Sequence, residues 1–397
     1  MAARNKAKAA LAGTVADLAA PWQEIALRIH ANPEIGLKEQ KASAWLADEL
    51  TANGFAVQRR VAGMETAFVA SAGRKSGRPC LAFLAEYDAL PGLGHACSHN
   101  LIGTAACLAG VALARVLPKA AAAIKVIGCP AEEFYGGKVQ LLQRGAFRGV
   151  DAALMAHGYF LTLGARPTIG RASLIFEFFG RAAHASTVPA QGINALDALI
   201  QTFTSIGLLR QQTRSEARIH GIITHGGTAA NIIPDYARGE FYVRSASTKY
   251  LGELKRRVTA CAKAAALATG ARLKISSEGH EFRPIRANQV LAQSYEDNMR
   301  CLGQKVDRLP LGEGTGSTDF GNVSHAVPAL HGYFRIVNHE VRPHTPGFAA
   351  ACRTDAALRG LVHAAQAMAL TAYDLIQQPR LLDAARAEWQ RRGNEEQ

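Results

Sequence analysis

Three stretches of the chain concentrate side chains able to hold a cation or move a proton. Residues 84–100 read LAEYDALPGLGHACSHN, an apolar run that opens into a loop carrying Glu86, Asp88, Cys97 and His99. Cys97 and His99 are one residue apart, so both could reach a single ion from a loop, or could be a core cysteine and a surface histidine. Residues 126–133, VIGCPAEE, end a second apolar run on Glu132 and Glu133. Adjacent carboxylates either form a solvated turn or, if buried, need a cation, a proton or strong hydrogen bonds. In the second case one can bind metal while its neighbour takes a proton from water. Residues 152–158, AALMAHG, end a third run on His157. In open α/β sheets ligands gather at the carboxyl ends of strands. Three successive strand ends delivering Cys/His, Glu/Glu and His argue for one shared metal site.

The elements that must position these groups follow from periodicity. Residues 42–53 read as a helix, 55–61 and 80–87 as strands, 101–117 as a small-residue helix, and 123–129 and 152–156 as strands. Such alternation predicts an α/β layer with a largely parallel sheet. From Gly170 the order changes to strand 173–180, helix 195–210, strands 218–225 and 238–245, helix 250–269 and strand 272–277. That β-α-β-β-α-β order is the ferredoxin-like unit. The expected organisation is therefore a catalytic domain in two parts, 1–169 and 280–397, around an inserted domain at 170–279. The polar tail after Arg391 is expected to fray.

Composition limits the alternatives. At 397 residues, 48% hydrophobic and 19% charged, the chain reads as a globular protein of two domains. No apolar run approaches the ~20 residues that cross a bilayer, and the N-terminus lacks a secretion signal's apolar block. Seven scattered cysteines fit a reduced compartment, so a cytoplasmic protein without a membrane partner is expected. The formal charge of +13 is spread along the chain rather than clustered with aromatics, which argues against nucleic acid and for a small anionic substrate.

With these pieces assembled, the sequence resembles the aminoacylase and carboxypeptidase superfamily of dinuclear metallohydrolases. It is most similar to the amidohydrolase branch that holds p-aminobenzoyl-glutamate hydrolase and the aminoacylase-like dipeptidases. The resemblance rests on IHANPE (29–34), AEYDALP (85–91), HACSHN (95–100), PAEE (130–133), LMAHG (154–158), AAHA (182–185), NIIPD (231–235), GSTDFGNVS (316–324) and HTPGF (344–348), in that order. It implies a zinc-peptidase-like mixed sheet with a ferredoxin-like lid or dimerisation domain, and a homodimer. It also implies two divalent ions, Mn2+ or Zn2+, held by Cys97, His99, Glu133, His157 and His344, with Glu132 as general base. His184 would polarise the scissile carbonyl in a partner's site, and Asn231 and Arg244 would contact substrate, Arg244 through a carboxylate. Asp88 could orient a ligand imidazole or serve as a turn residue. Ser317, Thr318 and Asp319 could line the pocket or cap a helix, while His30, Asn32 and Glu34 are expected to stabilise the N-terminal region.

The implied reaction is hydrolysis of the amide in an N-acyl or N-aroyl amino acid or small dipeptide by metal-activated water. The alternative on the same site is hydrolytic deamination of an anthranilate-type aromatic amine. Three departures bear on the substrate. Ser98 stands where relatives carry Gly, and it would be strained if the position needs positive φ. Gly332 and Gly347 replace bulkier residues expected along the pocket wall.

Overall fold

The computed structural model describes residues 2–74, 79–310 and 315–395. They divide into two compact units, one built from described residues within 2–167 and 285–395 and the other from 168–284.

The first unit is a six-stranded mixed sheet flanked by helices. Its strands are β1 (Ala56–Arg59), β2 (Phe68–Gly73), β3 (Cys80–Glu86), β4 (Ala123–Cys129), β5 (Ala152–Tyr159) and, after the second unit, β10 (Ala329–Arg335), in the spatial order β1-β2-β4-β3-β5-β10. β4, β3, β5 and β10 run parallel, while β1 and β2 form an antiparallel edge. β3 is buried along its whole length, as a strand covered on both faces must be, which explains its unbroken apolar run. Helix His99–Val116 is as apolar and lies in the core through Leu101, Ala105, Leu108 and Ala112. The strand β2 gave no signal in the sequence reading. The helix Pro379–Glu395 continues through the tail expected to fray, with Glu388 accepting from the backbone N–H groups of Gln289 and Val290.

The second unit has strands β6 (Gly170–Phe179), β7 (Arg218–His225), β8 (Tyr236–Ser245) and β9 (Arg272–Ser276), paired antiparallel in the order β7-β8-β6-β9. Helices Ala195–Leu209 and Thr248–Thr269 cover one face, where Phe176, Phe178, Leu199, Phe241 and Val258 form the core. This is the ferredoxin-like arrangement. Its C-terminal limit falls after Pro284 rather than Gly279, because Phe282 exchanges backbone hydrogen bonds with Arg171.

Candidate metal centre

Three strands and the loops after them converge. β3 ends on Glu86 and leads into the loop that carries Asp88 and Cys97, and His99 starts the following helix. β4 ends at Cys129, and the turn after it bears Glu132 and Glu133. His157 lies within β5, opposite Tyr333, rather than at the strand end expected from sequence. His344 is brought in from the far end of the chain by its backbone N–H, which donates to the Ala96 carbonyl at 2.8 Å.

The side chains then meet. Cys97 Sγ lies 3.4 Å from His157 Nε2, and His344 Nε2 lies 3.5 Å from Glu133 Oε2. His99 Nε2 is 3.9 Å from Glu132 Oε2 and 4.0 Å from Glu133 Oε1. One ligand atom from each of Cys97, His99 and His157 falls within 4.8 Å of the others, and the same holds for Cys97, Glu133 and His344. Cys97 is common to these two groups, so the residues that would hold divalent ions here share its sulfur.

Hydrogen-bond chemistry fixes the imidazoles of His99 and His157 with Nε2 facing the cluster. His99 Nδ1 sits 2.9 Å from the Asp88 carbonyl and 3.0 Å from its carboxylate, both acceptors, so Nδ1 carries the hydrogen. Asp88 also accepts the Glu133 N–H at 3.1 Å, tying the two loops together. In the same way His157 Nδ1 donates to the Gly158 carbonyl at 2.7 Å. Among the described residues, His99 Nε2 is buried with no hydrogen-bond partner.

The electrostatics fit a cation. Burial, with Glu133 adding, pushes the Cys97 thiol well above its ordinary range. Burial also raises Glu132 strongly, reinforced by Glu86, Glu133 and Asp319, and raises Glu133 against the pull of His99 and His344. Burial lowers His157 to about 4, leaving a neutral ring. Burial would lower His99 too, but Asp88 and Cys97 outweigh it and the ring is raised. The anionic ligands thus resist ionising unless positive charge arrives, and divalent ions reverse that balance. A thiolate, the imidazoles of buried His99 and part-buried His157, a carboxylate and the exposed His344 are a donor set that zinc or manganese accepts.

Sequence reasoning missed several supporting groups. Buried Glu39 accepts the Ala131 N–H and the Thr66 hydroxyl, each at 2.8 Å. It thereby straps the turn that carries Glu132, in which Ala131 takes φ 57°. Burial and Asp88 raise Glu39 to about 7. Its one signal in the sequence was its place five residues after Glu34. Lys138 is wholly buried behind Glu132 and pairs with Glu86 and Asp319. Asp319 therefore neither lines an open pocket nor caps through its side chain, and Thr318 Oγ1 accepts the Phe320 N–H in its place.

The three departures resolve differently. Ser98 does occupy the left-handed region, at φ 63° and ψ 18°. Its hydroxyl is buried and donates to the Gly158 carbonyl at 3.4 Å. A left-handed residue other than Gly costs about 1–2 kcal/mol, so Ser98→Gly should be tolerated. Ser98→Val adds β-branching at positive φ against Gly158 and should cost at least ~2 kcal/mol, read by denaturant unfolding of metal-free protein. Gly332 is not a wall residue: a side chain there would meet the Tyr295 ring at 2.8 Å, on the face of β10 opposite His331 and Tyr333. A side chain at Gly347 would meet Val341 and Thr345 at ordinary contact distance.

The remaining candidates belong to the second unit. His184 is exposed, and its Nδ1 is within 3.3 Å of the Ser186 and Thr187 N–H groups. Asn231 is beside it, its carbonyl accepting the Ala185 N–H. Both lie in loops before β8. Arg244 is near the other end of β8, with Nε 3.3 Å from His220 Nε2. Eight positions of β8 separate Tyr236 from Arg244, ~26 Å at about 3.3 Å per residue.

Comparison with known proteins places these observations. A family model described as "Peptidase dimerisation domain" matches residues 168–269. The chain is 38% identical to the Xaa-Arg dipeptidase of Mus musculus, over 93% of this chain and 89% of that protein. It is 34% identical to one of the subunits of the p-aminobenzoyl-glutamate hydrolase of Escherichia coli K12, over 62% of this chain and 56% of that subunit. A Bacillus subtilis structure described as a dinuclear metal binding peptidase of the M20 family shares the fold, with TM-score 0.66 at 18% identity over 93% and 99% of the two chains.

Proposed function

The chain belongs to the aminoacylase and carboxypeptidase superfamily of metallohydrolases, in its amidohydrolase branch, and on that basis we propose that it cleaves the amide of an N-acyl or N-aroyl amino acid or a small dipeptide. It is a hydrolase of amide or peptide bonds. The observation that supports the finer reading is Glu132, buried within reach of the His99 and Glu133 ligand atoms but outside both three-ligand groups that share Cys97.

Divalent ions bound by Cys97, His99, Glu133, His157 and His344 would acidify a water and draw electron density from the substrate carbonyl. The chain's own residues supply the rest. Asp88 and the Gly158 carbonyl hold the two imidazoles in the right tautomer. Glu132 takes a proton from the attacking water as its oxygen bonds to the carbonyl carbon, holds it on a carboxyl oxygen, and gives it to the nitrogen as the C–N bond breaks.

A dipeptide and p-aminobenzoyl-glutamate, the compounds in the relatives' names, both carry a carboxylate next to the amide, which supports a carboxylate-bearing substrate for Arg244. A panel of dipeptides with basic C-terminal residues, N-acyl amino acids, p-aminobenzoyl-glutamate and substituted anthranilates, assayed with added manganese or zinc, tests this reading. Amino-acid release is expected. Ammonia release from an anthranilate, with no amide cleaved, would overturn it.

His184 and Asn231 sit at one end of the second unit's sheet and Arg244 near the other, too far apart for one small substrate to touch both from a single copy. This supports a homodimer in which a partner supplies His184. Mixing inactive His184→Ala with inactive Glu132→Gln should then restore on the order of a quarter of wild-type activity, one working site in half of the dimers. No recovery on mixing, with exchange of subunits verified, would place His184 in its own chain's site.

A further inference from the structure

Glu132 also belongs to a second cluster, whose other members, Glu86, Asp319 and Lys138, have no step in the catalytic reading. Oxygens of Glu86, Glu132 and Asp319 lie within 4.8 Å of one another, and all three residues are buried. Buried carboxylates converging in this way are what hard divalent cations take. Here the position is filled by a side chain. Lys138 Nζ is 2.5 Å from Glu86 Oε1 and 2.5 Å from Asp319 Oδ1, and the Lys138 backbone N–H donates to Asp319 Oδ2 at 2.8 Å.

The local sequence is arranged for this. The turn bearing Glu132 and Glu133 doubles back through Gly136 and Gly137, and a side chain at 137 would meet the Pro130 carbonyl oxygen at 1.9 Å. Only that close approach puts residue 138 behind the carboxylates. An ammonium is a compact charge with three donors, and here it holds Glu86 Oε1 and Asp319 Oδ1 together in close ion pairs. The pull in the other direction is visible: the second Glu86 oxygen is already 3.5 Å from His99 Nε2, the ligand atom of the neighbouring site.

We propose that Lys138 is a positioning residue, an internal counter-cation that denies the Glu86, Glu132 and Asp319 carboxylates to a further divalent ion and so leaves Glu132 unligated. The proposal rests on the two-ion reading above and goes beyond it, because it explains why a site so rich in carboxylates stops at five ligands. Glu86 follows from the same logic. It is a paired anion held off the ions, and Lys138 is the group that holds it.

The test is manganese titration of metal-stripped protein, read as ions bound per chain, alongside kcat and KM. Wild type should bind two ions. Lys138→Met, similar in length but uncharged, should bind a third, with kcat lowered by about 10²-fold or more as Glu132 becomes a ligand and KM changed far less. Lys138→Gln, uncharged and of similar length, replaces Lys138→Met if that does not fold, with the same third ion expected because all three carboxylates remain. Adding Glu86→Gln to whichever variant folds should abolish the third ion and recover at least tenfold of the lost kcat. Two ions in each Lys138 variant, or no recovery on adding Glu86→Gln, would overturn the proposal while leaving the two-ion reading intact. A wild type that binds no manganese would instead sink the functional reading, and this proposal with it.

Discussion

Glu132→Gln is expected to retain its metal and to lose about 10²–10⁴-fold in kcat, the range for removing a general acid–base group. The two amide atoms fill the space of the carboxylate, and the ligands on Cys97, His99, Glu133, His157 and His344 are untouched. KM should change little, because the lost interaction belongs to proton transfer rather than to substrate binding. Metal content and steady-state kinetics on one preparation check this. Lost metal along with lost turnover would make Glu132 a ligand, and full turnover would remove it from the chemistry.

The second large effect concerns the shared sulfur. Because Cys97 belongs to both three-ligand groups, Cys97→Ala should weaken both ions together rather than one. Changing groups that only orient a ligand typically costs 10–100-fold in metal affinity, so loss of a direct and shared ligand should cost more than about 100-fold. Activity should collapse at ordinary metal concentrations and return in part with excess manganese. The fold should survive, since the thiol contributes little to either hydrophobic core. Competition with a chelator of known affinity gives the number. Loss of one ion with normal retention of the other would show that the sulfur does not bridge.

How much of this was legible in the residues depends on what each residue's role requires. β3, β4 and β5 announced themselves because strands covered on both faces must be apolar throughout. The ends of β3 and β4 were visible because the apolar runs stop close to charged groups, whereas β5 continues through His157 to Tyr159. The ferredoxin-like unit was readable because its strand–helix order is diagnostic without any knowledge of contacts. β2 was not readable: it pairs antiparallel at the sheet's edge side, its burial is uneven, and it has no apolar block of its own.

The ligand types Cys97, His99, Glu133, His157 and His344 could be nominated from chemistry and resemblance together. Their support could not. Lys138 and Glu39 look like surface residues on composition alone, since buried charges are rare unless paired. Their partners come from segments up to 181 and 92 residues away. Gly332 was misjudged for a related reason. Alternation along β10 puts His331 and Tyr333 on one face and Gly332 on the other, but which face meets the site depends on its pairing with β5, where Tyr333 lies opposite His157.

The most direct measurement is anomalous diffraction from crystals of the manganese-loaded protein. Two peaks are expected per chain, one touching His99 and His157, the other touching Glu133 and His344, with the Cys97 sulfur between them. No peak among these five side chains, in protein that is folded and active, would contradict the proposed centre outright.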